Sequence, residues 1–441
     1  MAGAGDIVAT SREQATGCRR RRRQTAAWLP LDVVAGIAAR SDAATLVRCA
    51  ATCRDARRRI ADDPGSLGRL RLRQTDRFLL PLLRGHLMRI YNYKERAGTH
   101  LYMVDTTAAD ADATRVTKVT FGPQGGKTSK GLEPMDSRRG VLLVHAPAAA
   151  GSSGNKVLRV CNPTTGRSQT LPPEPPFPQH GARETQYVLL VGDGGGDSAV
   201  GRPFKVLKAT LFLRGDCRSN RRLLFQTFSS EHGAWGPRTR IPTPNLHGNN
   251  FWTPLGSRPL VVGDVVHWLC LTDAGSYVLI LHTGAAAARV NETALPASFP
   301  RGETHQYHYL LAETLEGPAV LVADDDKVSA WVQSKHTKKW KQQPQVVIEN
   351  KEVLSLLEEN VAELVARSPW TKVQVKLVWF AESSGAVLIR VPSCGLLLLD
   401  LQSKKIIRRL SDPCVADATA YCPIEMDFTS WVPTFDSTCS F

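Results

Sequence analysis

The sequence has no uninterrupted run of about 18 apolar residues, the length that a membrane-spanning helix requires. Its best candidate extends from Gly385 to Leu401 and is interrupted by Arg390, Pro392 and Asp400. An apolar segment is also missing behind the arginines near the start of the chain, which argues against a secretory signal peptide. These absences predict a soluble intracellular protein without membrane contact, located in the cytoplasm, the nucleus or both.

Paired cysteines are missing as well. The ten cysteines stand singly, with no C-x-x-C pair, and several lie inside apolar runs such as Val265 to Cys270. Buried and reduced thiols are therefore expected, rather than a disulfide framework.

Signals for catalysis are weak. The glycine-rich segment from Phe121 to Thr128 has phenylalanine where a phosphate-binding loop needs glycine, and a poor helix follows it. His305 and His308 would point to opposite faces of a strand, and Asp324 to Asp326 lack the ligand spacing of a calcium loop. The sequence therefore predicts a non-catalytic protein with no catalytic residue, cofactor or metal site.

Positive charge is in excess, with 56 Lys and Arg against 41 Asp and Glu, a net charge of +15. Much of it lies before residue 90, including the run Arg19 to Arg23. A nucleic-acid-binding protein is one alternative. We instead expect residues 1–24 to form a disordered, arginine-rich tail or a nuclear address, with nucleic acid not the main partner.

Three short helices are predicted between residues 28 and 65. Pro30 suits a first helical position, and Val33, Val34 and Ile37 follow on one face. Ser41 and Asp42 can cap a second helix, and a basic third one extends from Cys53 to Ala61 before Asp62–Gly65 ends it. Such a unit buries little apolar surface by itself. It is either a cap on the following domain or a docking module for a partner.

The pattern changes to short alternating runs after about residue 95, which is typical of β-structure. A strand, a polar turn and a second strand recur, with turns near residues 162, 229, 282, 333 and 402. Each interval has room for four strands, and Leu101–Val104 with Val116–Phe121 supplies a sixth unit. Repeated four-stranded units predict a β-propeller of about six blades, with a pair of β-sandwiches as the alternative.

One segment breaks the β pattern. Between Lys351 and Arg367, apolar residues recur with helical spacing, beginning with Val353, Leu354 and Leu357. Asn350 can cap the start, and Ser368 and Pro369 end the segment. The spacing predicts a helix inserted between the strands of one blade, packed on the rim of the propeller.

The N-terminal segment resembles the F-box of plant F-box proteins. The resemblance rests on Leu29-Pro30, Val33-Val34, Ile37, Leu46-Val47-Arg48-Cys49, Cys53-Arg54 and Arg57, with Ala56 where the family has tryptophan. It implies docking on the Skp-family adaptor of SCF ligases and, through that adaptor, on cullin. The implied partner-binding residues are Leu29, Pro30, Val33, Val34, Ile37, Leu46, Val47, Cys53 and Arg57.

The later part of the chain resembles the F-box-associated, kelch-like domains of a grass-expanded branch of that family. Cys161 to Gly166 is similar to their CNPTTG hairpin, and Gly263 to Leu269 to their GxVHWL strand. The resemblance implies a subunit that recruits an unknown protein substrate for ubiquitin transfer. The alternatives are a propeller scaffold and a nucleic-acid binder, both without ligase function.

The expected fold is therefore α+β and multidomain, with a small three-helix F-box followed by an all-β propeller of about six blades with one inserted helix. The expected boundaries are an N-terminal tail at 1–24, an F-box at 25–75, a linker at 76–95 and the propeller at 96–441.

Overall fold

The computed structural model describes most of the propeller and two N-terminal helices. The described residues are 29–40, 54–61, 78, 80–91, 99–106, 115–119, 132–147, 156–163, 165–176, 185–192, 200–212, 221–243, 246–247, 251–252, 258–284, 288–301, 308–357, 362, 374–410, 418 and 420–426. The chain divides into two compact units, one comprising 1–72 with 434–441 and the other comprising 73–433.

The first unit contains two described helices, α1 (Leu31–Arg40) and α2 (Arg54–Ala61). Pro30 precedes α1 as predicted, and its carbonyl accepts hydrogen bonds from the Val33 and Val34 amides at 2.9 and 3.1 Å. Ala56 of α2 is buried, with 2% of its surface exposed. The position that holds tryptophan in F-box proteins is thus an inward-facing position here.

The prediction of an α+β fold with a three-helix F-box is wrong. The protein is nearly all β, and the described part of the N-terminal unit contains two helices rather than three. The expected second helix falls within residues 41–53, which lie outside the described residues. The expectation of three helices rested on capping residues and apolar spacing alone, although short helices also depend on tertiary packing.

The second unit consists of six antiparallel sheets, which we call blades 1 to 6 in chain order. Blade 1 contains β1 (Leu83–Tyr91), β2 (Thr99–Asp105), β3 (Arg115–Lys118) and β26 (Ala420–Glu425). Blade 2 contains β4 (Glu133–Arg138), β5 (Val141–Pro147), β6 (Lys156–Cys161) and β7 (Ser168–Thr170). Blade 3 contains β8 (Gln186–Val191), β9 (Phe204–Phe212), β10 (Arg222–Ser229), β11 (Ala234–Trp235) and β12 (Thr239–Pro242).

The remaining blades repeat the arrangement. Blade 4 contains β13 (Phe251–Trp252), β14 (Leu260–Val262), β15 (Val265–Thr272), β16 (Ser276–His282) and β17 (Arg289–Ala294). Blade 5 contains β18 (His308–Thr314), β19 (Gly317–Ala323), β20 (Lys327–Val332) and β21 (Gln345–Glu349). Blade 6 contains β22 (Lys376–Ala381), β23 (Ala386–Val391), β24 (Gly395–Asp400) and β25 (Lys405–Leu410). A short 3-10 helix, Leu80–Leu82, precedes β1.

The blades form a closed ring. The last strand, β26, pairs with β1 and supplies the innermost strand of blade 1. It contacts the inner strands β4 and β22 of the two neighbouring blades. The predicted six-bladed propeller is therefore confirmed, and the alternative of two β-sandwiches is excluded.

The recurring turns are the hairpins between the third and fourth strands of blades 2 to 6. In blade 2 the Asn162 amide donates to the Arg167 carbonyl at 2.8 Å, and the Thr165 amide donates to the Asn162 side chain at 3.2 Å. Gly166 has φ of +69°, a left-handed conformation that glycine adopts without strain. The local turn chemistry of Asn and Gly explains why these hairpins could be recognised from the sequence.

The apolar runs of the sequence are the inner and middle strands of the blades. His267 and Trp268 of β15 expose 5% and 7% of their surface, so the segment that resembles the GxVHWL strand is core. Burial lowers the pKa of His267 to about 4, which leaves the imidazole neutral. The four described cysteines, Cys161, Cys270, Cys394 and Cys422, are buried, as the apolar runs around them predict.

The predicted inserted helix is placed differently in the structure. The described helix, α3 (Asn350–Ser355), follows the last strand of blade 5 and precedes blade 6, so it connects two blades and does not interrupt one. Val353 and Leu357 are fully buried, as their spacing predicts. Asn350 is the first residue of the helix and Glu349 holds the N-cap position without a side-chain cap hydrogen bond, while the Asn350 side-chain amide donates to the Asp324 carbonyl at 2.8 Å. Residues 358–361 and 363–373 lie outside the described residues.

Candidate functional site

Three of the residues predicted to bind a partner form an exposed apolar ridge at α1. Leu29, Val33 and Ile37 expose 60%, 44% and 40% of their surface. Val33 and Ile37 stand four residues apart on one face of α1, and Leu29 lies two residues before the helix begins. Pro30 is exposed and Val34 is half-buried. We call Leu29, Val33 and Ile37 the α1 ridge.

The other predicted partner-binding residues lie partly or wholly outside the described residues. Leu46, Val47 and Cys53 lie outside the described residues, and Arg57 is placed on α2 by its backbone without a described side chain. Between the two helices, Arg59 contacts Asp32 at 3.7 Å, with both side chains largely exposed. Exposed ion pairs of this kind add at most about 1 kcal/mol, so this contact contributes little to holding α1 and α2 together.

A second candidate region is the central channel of the propeller, where buried charged groups from alternate blades meet. Arg138 at the end of β4 in blade 2 forms an ion pair with Glu382, which follows β22 in blade 6. It also donates to the carbonyl of Pro259 in blade 4 at 3.3 Å and to Asp136 at 3.3 Å. One guanidinium therefore ties three alternate blades together across the axis.

The two carboxylates of this group are held by backbone amides as well. Asp136 accepts hydrogen bonds from the Ser137 and Leu189 amides at 2.9 and 2.8 Å. Glu382 accepts one from the Val261 amide at 3.1 Å. Burial raises the pKa of Glu382 to about 7, and the opposing attraction of Arg138 does not cancel that rise. Burial and ion pairing thus compete at Glu382 within the neutral pH range.

Arg258, which precedes β14 in blade 4, is the remaining charged member of the channel group. Its guanidinium donates to the Met135 carbonyl and lies over the Trp379 ring, with the guanidinium carbon 3.6 Å from the ring centre. Burial lowers the pKa of Arg258, against the influence of the nearby carboxylates. We call Asp136, Arg138, Arg258, Trp379 and Glu382 the channel cluster.

The recess at the channel cluster is small. Together with the open space in front of it, it has a volume of about 300 Å³. Small-molecule pockets typically start at roughly this size, so the recess admits water or a small solute rather than a protein segment.

A further buried carboxylate joins blade 1 to blade 6. Glu425 at the end of β26 accepts hydrogen bonds from the Ser383 and Ser384 amides, at 3.0 and 2.7 Å. Burial raises the pKa of Glu425, and these amides partly offset that rise. The contact fixes the strand that closes the ring to the turn that carries Glu382.

A polar cluster outside the channel joins blades 2 and 3. Glu174 accepts hydrogen bonds from the Tyr187 hydroxyl at 2.7 Å and from the Lys208 ammonium at 2.6 Å, and lies 3.9 Å from His145. Burial raises the pKa of Glu174, but contacts with His145, Lys208 and Tyr187 outweigh burial and lower it to about 2. Burial and the negative Glu174 raise the pKa of Tyr187. This arrangement fixes the segment between the two blades and keeps the tyrosine protonated.

The structure describes only some of the segments considered for catalysis or metal binding. Asp324 forms a turn, in which its carboxylate accepts hydrogen bonds from the Asp326 and Lys327 amides at 2.9 and 2.8 Å. His308 begins β18, whereas His305 and the segment 121–128 lie outside the described residues. Among the described residues, no group of three or more His, Cys, Asp or Glu side chains is placed to hold a metal ion.

Sequence reasoning missed the channel cluster. Arg138 and Glu382 are separated by 244 positions, and Arg138 and Pro259 by 121. The available signal was the presence of charged residues in or directly after the first strand of a blade, because first strands line the axis in a propeller. No described helix is long and apolar enough to span a membrane.

Comparisons with solved structures return propeller-containing and other proteins at low similarity. A protein described as a candidate 6-phosphogluconolactonase from Bacteroides uniformis is 13% identical with a TM-score of 0.33, over 64% of this chain and 71% of that one. Apo AztD from Citrobacter koseri is 11% identical with a TM-score of 0.33, over 77% and 98%. A post-proline cleaving enzyme from Rickettsia typhi is 11% identical with a TM-score of 0.24, over 56% and 32%. These values carry no functional argument.

No curated protein matches the chain. A family model described as a domain of unknown function, DUF7595, matches residues 101–436. The matched segment begins in blade 1 and includes the whole of blades 2 to 6 together with the closing strand β26. The chain belongs to the DUF7595 family.

Proposed function

We propose that the protein is a non-catalytic recognition subunit, in which the α1 ridge binds a Skp-family adaptor of a cullin ubiquitin ligase and the propeller binds a protein target. The six-bladed propeller is a scaffold suited to such a role, because its connecting loops can vary while the blades stay rigid. Ubiquitin transfer would then follow from proximity, since the adaptor and the target are held by one chain.

The observation that carries the proposal is the exposure of the α1 ridge. A row of large apolar side chains on one face of a short helix is a common way to fill an apolar groove of a partner. Leu31 beside the ridge is also 41% exposed, which enlarges the apolar area. The resemblance of Leu29-Pro30 and the following residues to F-box proteins supports an adaptor of the Skp family as that partner.

The test is co-purification of the full-length chain with a Skp-family adaptor. Leu29→Ala, Val33→Ala and Ile37→Ala are combined in one variant, and Asp32→Ala, which changes an exposed polar residue of the same helix, is the matched control. We expect the triple variant to lose adaptor binding and the control to retain it. Thermal unfolding of both variants checks that the propeller is intact.

Two outcomes would contradict the proposal. If the wild-type protein binds no Skp-family adaptor, the alternative of a propeller scaffold without ligase function is favoured. Equal binding by the triple variant and the wild type would show that the adaptor uses another surface. Retention of the full chain on DNA, with affinity falling steeply as salt rises, would instead favour the nucleic-acid alternative.

A further inference from the structure

The turns at one end of blades 5 and 6 bring several lysines together. The Lys335 ammonium donates to the Leu315 carbonyl at 2.7 Å, which joins the β20–β21 hairpin to the β18–β19 turn. The Lys404 ammonium of blade 6 donates to the Val346 carbonyl of blade 5 at 3.2 Å. We call this region the lysine surface, and it comprises Leu315, Lys335, Lys338, Lys339, Lys341, Val346, Lys404 and Lys405.

Positive charge dominates the lysine surface. It contains six lysines, and the carboxylate between them, Glu316, is already held by the Lys341 ammonium at 2.6 Å. The nearby Asp400 accepts hydrogen bonds from the Ser403 hydroxyl at 2.6 Å and from the Ser403 amide at 3.3 Å. Its carboxylate is therefore occupied within the β24–β25 turn. Lys338, Lys339 and Lys405 are exposed. The remaining positive field attracts acidic partners and accelerates their association.

Apolar side chains are exposed within the same surface. Leu315 and Val346 expose 47% and 46% of their surface, although most large apolar residues of the propeller are buried. Val346 lies on β21, which pairs with β20 and with no other strand among the described residues. An outer strand of this kind presents backbone groups to which an extended segment can add. The surface therefore offers charge, apolar contact and a strand edge together.

A protein segment fits these features better than a nucleic acid does. Proteins that bind single strands without sequence preference combine positive grooves with aromatic side chains on which bases stack. The aromatic residue of this hairpin, Trp340, is 6% exposed, and its indole N–H donates to the Thr293 hydroxyl at 3.2 Å. Apart from the exposed imidazole of His336, the described part of the lysine surface presents no aromatic face, whereas its two exposed aliphatic side chains suit leucine-like residues.

We propose that the lysine surface binds an acidic segment of a partner protein that also carries apolar side chains. This assignment rests on the proposed function in one respect, namely that the segment belongs to the target. Binding itself requires no adaptor, so the two proposals can fail separately.

The test measures binding of a fluorescent peptide of alternating glutamate and leucine to the full-length chain by fluorescence anisotropy. Lys338→Glu, Lys339→Glu and Lys405→Glu are combined in one variant, since these side chains are exposed. Arg167→Glu, Lys205→Glu and Arg240→Glu in blades 2 and 3 give the same change in net charge and form the matched control. We expect an affinity loss of at least about tenfold in the first variant and less than about threefold in the second.

The apolar contribution is tested by Val346→Ser, with Leu356→Ala as the control because Leu356 is 43% exposed beyond the far end of β21. Val346→Ser should weaken the glutamate–leucine peptide but not a glutamate–serine peptide. Equal losses of affinity in the two charge-reversal variants would overturn the proposal, because binding would then depend on net charge alone. Tighter binding of a single-stranded oligonucleotide than of the peptide at equal salt would overturn it in favour of nucleic acid.

Discussion

The guanidinium carbon of Arg258 lies 3.6 Å from the centre of the Trp379 ring, so a blade 4 cation stacks on a blade 6 aromatic inside the channel. Lysine cannot reproduce this contact, because its ammonium lacks the planar shape that stacks on an aromatic face. Removal of the stacking should therefore be visible even when the positive charge is kept.

We expect Arg258→Lys to lower the free energy of unfolding by about 1–2 kcal/mol, the range of a partly desolvated cation–π contact. Urea unfolding followed by tryptophan fluorescence and circular dichroism measures the change. The same substitution in a Trp379→Leu background should cost much less, since the ring is already gone. Identical losses in both backgrounds would mean that the stacking contributes nothing and that Arg258 acts through its bond to Met135 alone.

Glu382, whose side chain is 25% exposed, predicts a dependence of stability on pH. Its pKa is about 7 in the folded protein against an ordinary value of 4.5. Between these values the folded state binds more protons than the unfolded state, so the free energy of unfolding contributed by Glu382 falls as pH rises from 4.5 to 7. The full stabilisation from Glu382 is about 3 kcal/mol of unfolding free energy. It is present below pH 4.5 and lost above pH 7.

Glu382→Gln should remove this dependence. The free energy of unfolding is measured for wild type and variant from pH 5 to pH 8, and their difference is compared, because Glu425 titrates in the same direction and is common to both. The free energy of unfolding of the variant should therefore increase relative to that of the wild type as pH rises. Parallel curves would show that Arg138 keeps Glu382 ionised throughout and that the ion pair outweighs burial.

Gly317 predicts a large steric effect in blade 5. Its φ is +148°, and a Cβ atom added there would lie 2.2 Å from the Gln333 carbonyl oxygen, which is backbone and cannot swing away. Gly317→Ala should lower the free energy of unfolding by about 3 kcal/mol or more, since strain and overlap add. Thermal and urea unfolding of the full chain measure it.

The matched control is Gly166→Ala in the blade 2 hairpin. Gly166 has φ of +69° and has nothing within 4 Å of an added Cβ, so only the left-handed backbone disfavours alanine there. The expected cost is about 1–2 kcal/mol. Equal losses at the two positions would show that the turn next to Gly317 relaxes away from Gln333.

The sequence predicted the propeller better than it predicted the helical segments. Hairpins such as Asn162 to Arg167 are encoded locally, because Asn bonds to its own turn and Gly tolerates positive φ. The inserted helix was placed within a blade because spacing alone does not reveal where a blade ends. The expected cap at Asn350 was wrong because the helix begins at Asn350 itself and Glu349 takes the N-cap position.

The α1 ridge was identified from the sequence as a partner-binding candidate, whereas the channel cluster was not. Val33 and Ile37 are four positions apart, so their common face follows from helix geometry, whereas Leu29 precedes α1 and was identified by the resemblance to the F-box. The channel cluster joins Arg138 to Glu382 over 244 positions, and only closure of the ring brings them together. A single sequence contains no local pattern that pairs residues on opposite sides of an axis.

The pairing of β26 with β1 has a consequence for how the chain is made. β1 ends at Tyr91 and β26 begins at Ala420, so blade 1 lacks its inner strand until nearly the whole chain has been synthesised. At translation rates of about 5–20 residues per second, that delay is roughly 15 to 70 seconds. During this time the β1 edge is open to mispairing, and a nascent chain stalled before residue 420 should depend on chaperones to stay unaggregated.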